Sequence, residues 1–394
     1  MTPAKKIEIL QKLIQIKSVN DHETDVADYI ASLFAPYPQA KVEKVPFAEN
    51  RDNLVVTIGN PDGPMIGLSG HMDVVSAGDE AAWHHAPFAG EVVGDQLFGR
   101  GASDMKSGLA AIVITMLEFL EVGTPLAGSI RLLATVGEET GEYGAATLTD
   151  AGYADNLAGL VIAEPSGLDN VVYTARGVID YKVVSTGKGS HSAQPEKGIN
   201  AIDNLMKFYN AVGPLMAQHT KTDPVLGGLL HNVDLISGGE QINSIPAHAE
   251  LMANMRTIPA YPNQVIYDEL EALIAQLNQE DGVQLDLSYS YPEEAIPGNP
   301  EAPLVQLAKQ ISDAVCDHDT QVVGSGGAND GAEFLRAKGD FTSIEMGPGS
   351  NTSHQVDEYI SVTEYLQAIE VYKQLVPAFF DQVAAKNAHA TAND

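Results

Sequence analysis

Only one cysteine, Cys316, occurs in 394 residues. No intramolecular disulfide can form, and the chain suits a reducing cytoplasm. Long apolar runs are lacking too. None approaches the roughly 20 residues needed to span a bilayer, and residues 1–17 are charged with helical period instead of carrying the apolar centre of a signal peptide. Bases are scarce: 22 Lys and Arg stand against 53 Asp and Glu, a formal charge of −31. So acidic a chain has no broad positive surface for phosphates, which argues against a nucleic-acid partner. Each arginine becomes informative in turn, because an anionic substrate needs one to reverse the local field. The hydrophobic fraction of 44% is that of an ordinary globular protein, and the length points to two domains.

What is present falls into two grammars. Residues 4–17 and 22–34 have the spacing of amphipathic helices, with Asn20 and Asp21 as candidate caps for the second. Apolar strands are expected at 54–58, 65–68, 128–136 and 157–163, with a helix at 109–122. Three of these strands run directly into polar residues: Gly70-His71-Met72-Asp73, Gly137-Glu138-Glu139 and Glu164-Pro165-Ser166. Buried strands that deliver polar side chains at their carboxyl ends predict an α/β fold, a mostly parallel sheet flanked by helices. From Gly177 the pattern alternates. Strands at 178–186, 225–236, 249–257 and 283–291, with helices at 200–216 and 264–277, predict an inserted α+β domain over 178–292. Residues 1–177 and 293–394 form the main domain, which resumes with a helix at 302–315, a strand at 342–346, a helix at 361–376 and a small polar tail at 384–394.

Imidazole and carboxylate are common ligands of zinc and its neighbours. His71, Asp104 (in the Gly-rich turn 99–108), Glu139, Glu164 and His354 supply five such donors. That is the number required if one carboxylate bridges two metals and each metal takes two more ligands. Asp73, two residues past His71, is placed to hold the other imidazole nitrogen. Glu138 is left free as a general base. The adjacent His84 and His85 read as loop residues. Cys316 reads as an inert core thiol.

Gly70-His71-Met72-Asp73-Val74-Val75, Gly99-Arg100-Gly101-Ala102-x-Asp104-Met105-Lys106-x-Gly108, Gly137-Glu138-Glu139 and Ser353-His354 together resemble the M20 family of metallopeptidases. The likeness is to its acetylornithine deacetylase, succinyl-diaminopimelate desuccinylase and aminoacylase branch. The resemblance implies a zinc-exopeptidase-like catalytic domain with two zinc ions, replaceable by cobalt or manganese. Asp104 would bridge them, His71 and Glu164 completing one site and Glu139 and His354 the other. It implies a cis bond before Met105, Glu138 as base and Asp73 as the residue that orients His71. The inserted domain would be a lid and dimerisation domain. Its His191 would reach the active site of the partner subunit and steady the oxyanion. Arg256, Asn243, Arg176, Gly326 and Gly327 match substrate-binding positions, an Arg pairing with a carboxylate through its planar fork. Desuccinylases carry hydroxyl residues where Ala328 and Asn329 stand here, and a basic pair where Ala175 precedes Arg176.

The expectation is therefore a cytoplasmic, homodimeric amidohydrolase acting on small N-acyl amino acids, with a dipeptidase or carboxypeptidase as the alternative. No membrane or nucleic acid is involved. A serine hydrolase lacks its Gly-x-Ser-x-Gly elbow, and Thr186-Gly187-Lys188 lacks the Ser or Thr of a phosphate-binding loop.

Overall fold

A computed structural model describes residues 1–349 and 351–392. Among these, an eight-stranded sheet runs in the order Lys41–Ala48, Arg51–Gly59, Ser129–Thr135, Met65–His71, Gly159–Pro165, Thr342–Gly347, Asn170–Ala175, Gln321–Ser325. The central strand Met65–His71 is parallel to both its neighbours, and Gly159–Pro165 is parallel to Thr342–Gly347. Antiparallel pairs lie outside these. Alternation along each strand sends side chains to opposite faces. Leu132 and Val161 join one core cluster, while Leu133, Leu160 and Ile162 join a second. Both faces are thus covered by helices, as a buried parallel sheet requires.

The helix Lys106–Val122 is buried almost all round through Phe119. It lies so close to the sheet that a Cβ on Gly108 would stand 2.0 Å from the carbonyl oxygen of Ala163. Lys106, at its start, donates from Nζ to the carbonyls of Leu13 and Ile16 at 2.9 and 2.8 Å. Those carbonyls close the carboxyl end of the helix Pro3–Gln15, where Leu13 also accepts the N–H of Ile16 and Ile16 that of Ser18, and the ammonium supplies the charge such an end favours. The peptide bond between Asp104 and Met105 is cis.

The chain divides into two compact units: Met1–Thr174 with Gly298–Val323 and Asn329–Asp394, and Ala175–Pro297 with Gly324–Ala328. The second holds a four-stranded antiparallel sheet in the order Leu230–Gly238, His248–Thr257, Gly177–Thr186, Leu285–Glu293. The helices Ala201–Met216 and Asn263–Leu277 pack on one face over Tyr181, Val183, Leu251 and Met255. The edge strand Leu230–Gly238 keeps Leu235 and Ile236 exposed.

Several sequence expectations need correction. Asn20 and Asp21 do not cap the second helix, Thr24–Phe34. Glu23 precedes it without a capping side-chain bond, its carboxylate being held by Arg51, and both Asn20 and Asp21 have positive φ. The strand Lys41–Ala48 escaped notice because it is an exposed edge carrying Pro46, with no apolar alternation. The final helix runs as Val362–Ala392, through Pro377, where the periodic reading stopped. The expected polar tail is therefore helical up to Ala392, and residues 393–394 lie outside the described residues. Cys316 is half-buried at the end of the helix Pro303–Cys316, packed against the margin of the main core cluster. Among the described residues no helix is long and apolar enough to cross a membrane.

Candidate metal centre

The three parallel strands Met65–His71, Ser129–Thr135 and Gly159–Pro165 end on one rim of the sheet, and their residues His71, Glu138, Glu139 and Glu164 converge there. The turn after Ser129–Thr135 needs Gly137, which has φ +67° and whose Cβ would meet Arg51 Nη2 at 2.6 Å. Asp104 arrives on the Gly-rich turn, and His354, at φ +64°, on the loop after Thr342–Gly347.

The Asp104 carboxylate lies between the two imidazoles. Its Oδ1 is 3.2 Å from His71 Nε2 and its Oδ2 is 3.3 Å from His354 Nε2. Glu164 Oε1 stands 3.6 Å from His71 Nε2, and Glu139 Oε2 stands 3.0 Å from His354 Nε2. All five expected donors are brought together. Glu138 joins them more closely than expected: with His71 and Glu164 it offers donor atoms within 4.8 Å of one another, as do His71, Asp104 and Glu139.

Asp73 behaves differently from expectation. The bond to His71 Nδ1 is made by the main-chain carbonyl of Asp73 at 2.9 Å, while its carboxylate lies 3.6 Å away. That carboxylate instead accepts the backbone N–H groups of Glu138 and Glu139, both at 3.2 Å. It holds the turn that presents them. A carbonyl oxygen can only accept, so Nδ1 of His71 carries a proton and donates to Asp73, which turns Nε2 towards the carboxylates of Asp104 and Glu164.

Electrostatics follow from crowding and burial. Burial opposes a charged His71, yet Glu164 and Asp104 outweigh it and raise its pKa. His354 is pushed up to about 10 by Asp104 and Glu139. Burial raises Glu138 and Glu164, against the pull of His71. Two further buried acids were missed in the sequence. Burial pushes Asp330 and Glu345 up to about 7. Asp330 accepts the Thr135 hydroxyl at 2.5 Å, and Glu345 accepts Asn329 Nδ2 at 3.0 Å. Their only local signal was an acid beside the Gly-rich turn and an acid within an apolar strand.

A divalent cation fits this donor set. Asp104, Glu138, Glu139 and Glu164 converge, and among the described residues the only side-chain cations in ion-pair contact with them are the two histidines. Uncompensated buried carboxylates are costly unless paired or coordinated.

The other expected residues belong to the second unit. His191, exposed, lies in the short strand Ser190–His191, paired with Ser244–Ile245. Its Nδ1 accepts the N–H of Ala193 at 3.1 Å, which leaves the ring proton on Nε2. Asn243 is exposed, and its carbonyl accepts the N–H of Ser192 at 3.0 Å. Arg176 is engaged by the chain itself, donating to the carbonyls of Gly228 and Leu226. Arg256 is half-buried and lowers the pKa of Glu293, which burial raises. A Cβ on Gly327 would stand 3.8 Å from Arg256 Nη1, while Gly326 is exposed.

The chain is similar to known proteins in both sequence and fold. Residues 67–378 match the family profile described as Peptidase family M20/M25/M40. The chain is 36% identical to a probable succinyl-diaminopimelate desuccinylase of Staphylococcus aureus, over 94% of this chain and 96% of that one. It is 30% identical to a succinyl-diaminopimelate desuccinylase of a Methylobacterium species, over 96% and 97%. In structure it resembles a tripeptidase of Staphylococcus aureus, with TM-score 0.77 and 18% identity, covering 97% of this chain and 99% of that one.

Proposed function

The chain belongs to the M20/M25/M40 peptidase family, whose members are metal-dependent hydrolases, and on that premise we propose that it is a two-cation amidohydrolase releasing the acyl group from small N-acyl amino acids. The observation that carries this reading is the Asp104 carboxylate, with one oxygen turned to each imidazole, as a bridging ligand requires. His71 and Glu164 would hold one cation, Glu139 and His354 the other. Zinc is the natural candidate for this N and O set, with cobalt or manganese as substitutes. When bound, such ions polarise the scissile carbonyl and make a nearby water more acidic.

The chain's own residues do the rest. A Glu138 carboxylate oxygen takes the water proton and returns it to the leaving nitrogen. Asp73 keeps Glu138 in place by holding its backbone N–H. In the second unit, proposed as lid and dimerisation module, His191 carries its proton on Nε2, the donor that an oxyanion in the partner's site would need. The exposed Leu235 and Ile236 suit an edge at which a second copy adds. Arg256, whose guanidinium makes no hydrogen bond to a described residue, is assigned to a substrate carboxylate, with the backbone of Gly326 and Gly327 beside it. Asn243, beyond the other end of the strand His248–Thr257, is assigned separately to substrate binding. Arg176 is assigned to the support of that pocket. The relatives' name puts succinyl-diaminopimelate first among substrates. Ala328 and Asn329, in place of hydroxyl residues, favour testing other acyl groups.

A panel of acetyl-, succinyl- and dipeptide substrates, assayed with zinc, cobalt and manganese, tests the substrate class. Cleavage of dipeptides alone would make the protein a dipeptidase or carboxypeptidase. Glu138→Gln tests the base: turnover should fall by about 10²–10⁴-fold with zinc binding intact, and a rate near wild type would remove Glu138 from the mechanism.

A further inference from the structure

The turn that presents Asp104 is folded around a carboxylate from another part of the chain. Glu358 is fully buried. Its Oε1 accepts the backbone N–H groups of Ser103 and Asp104 at 2.8 and 2.9 Å. Its Oε2 accepts the N–H of Gly101 at 3.0 Å and Arg100 Nη1 at 2.6 Å. Its own carbonyl accepts the N–H of Gly99 at 2.9 Å. Residues 99–104 therefore take their shape from Glu358, much as an anion gathers amides in a nest. The other arm of Arg100, Nη2, reaches the carbonyl of His354 at 3.4 Å. One buried ion pair thus ties the loop of Asp104 to the loop of His354.

A buried ion pair contributes little net stability and is often replaceable by apolar packing. This one bonds the backbone of two donor-bearing loops, and without it the turn amides of Gly101, Ser103 and Asp104 would all lose the acceptor that gathers them. We propose that Glu358 is a positioning residue for the metal centre. It touches none of the donor atoms, yet it sets the spacing of Asp104 and His354 and hence the affinity for the cation they share. The proposal rests on the two-cation reading above, so its test measures zinc binding and not turnover.

Full-length Glu358→Gln and Glu358→Asp are compared with Glu118→Gln, which removes a buried, ion-paired carboxylate in contact with Lys6 and Lys373. Zinc affinity is read by competition with a chromophoric chelator, and folding of the apoprotein by circular dichroism and melting temperature. Glu358→Gln should bind one zinc about 10–100-fold more weakly, the usual effect of losing a partner behind the ligands. Glu118→Gln should lose melting temperature and keep wild-type zinc affinity. Glu358→Asp, with charge kept and reach shortened, should fall between. Zinc affinity of Glu358→Gln within threefold of wild type overturns the proposal, as does an equal loss in Glu118→Gln. If Glu358→Gln does not fold, wild-type zinc affinity in Glu358→Asp overturns it. A wild-type protein that binds none of zinc, cobalt or manganese overturns the two-cation reading as well.

Discussion

Arg176 and Arg256 stand out equally in a chain with so few bases, yet the folded molecule gives them different partners. Arg176 spends its guanidinium on the carbonyls of Leu226 and Gly228, whereas the guanidinium of Arg256 makes no hydrogen bond to a described residue. Arg256→Lys should therefore raise KM about tenfold with kcat little changed, because an ammonium lacks the fork that grips a carboxylate. Steady-state kinetics on the preferred substrate decide this. Gly137→Ala should cost on the order of 1–2 kcal/mol of stability, from the left-handed backbone and the approach of Arg51, measurable by urea unfolding. His71, Asp104, Glu138, Glu139, Glu164 and His354 were legible as chemistry-bearing residues because glycines and strand ends mark them in the sequence. Glu358 was not, since an acid whose partners are backbone amides more than 250 residues away carries no local signature. The Asp73 carboxylate was misassigned for a related reason. Spacing alone cannot distinguish a side-chain oxygen from the carbonyl of the same residue.

At the scale of elements, the central strands were readable because unbroken apolar runs end in polar turns, and their parallel pairing puts those ends on one rim. The edge strand Lys41–Ala48 was illegible because exposure removes the pattern that reading depends on. The last helix was cut short because proline usually ends a helix, whereas Pro377 lies inside one here. Close approach of elements has a testable consequence at Gly108. Gly108→Ala must push the helix Lys106–Val122 off the strand Gly159–Pro165, since the intruding methyl would meet backbone and not a movable side chain. Overpacking of this kind should cost roughly 1–3 kcal/mol or more. It should also weaken zinc binding, because Asp104 lies in the turn that leads into this helix and Glu164 lies on the strand it is forced away from. Unchanged urea midpoint and zinc affinity would contradict this account of their packing.

For the whole molecule, a charge of −31 means that the compact state contends with its own repulsion. Raising NaCl from low to physiological concentration should raise the melting temperature, because salt screens exposed charges. Chelator treatment should lower it: a cation at a hundredfold its Kd adds about 2.7 kcal/mol of stability. Acid sensitivity has a second source at Glu118. Burial would raise this carboxyl, but Lys6, Lys373 and the N-terminal ammonium lower it from the ordinary 4.5 to about 2. A depressed carboxylate stabilises the fold above its unfolded pKa and loses that contribution as pH falls towards 2, here about 3 kcal/mol. Glu118→Gln should therefore melt lower than wild type at pH 7 and converge with it near pH 2. The change in grammar near Gly177 marks a module over 178–292, but nothing in the sequence marks the Gly324–Ala328 segment, because it goes with the unit Ala175–Pro297 through space and not through sequence. The polypeptide accordingly passes between the two units four times, not twice. A chimera built by transplanting residues 175–297 as one cassette would import that module without its glycine loop, so any exchange of specificity between relatives has to move two separate pieces of gene together.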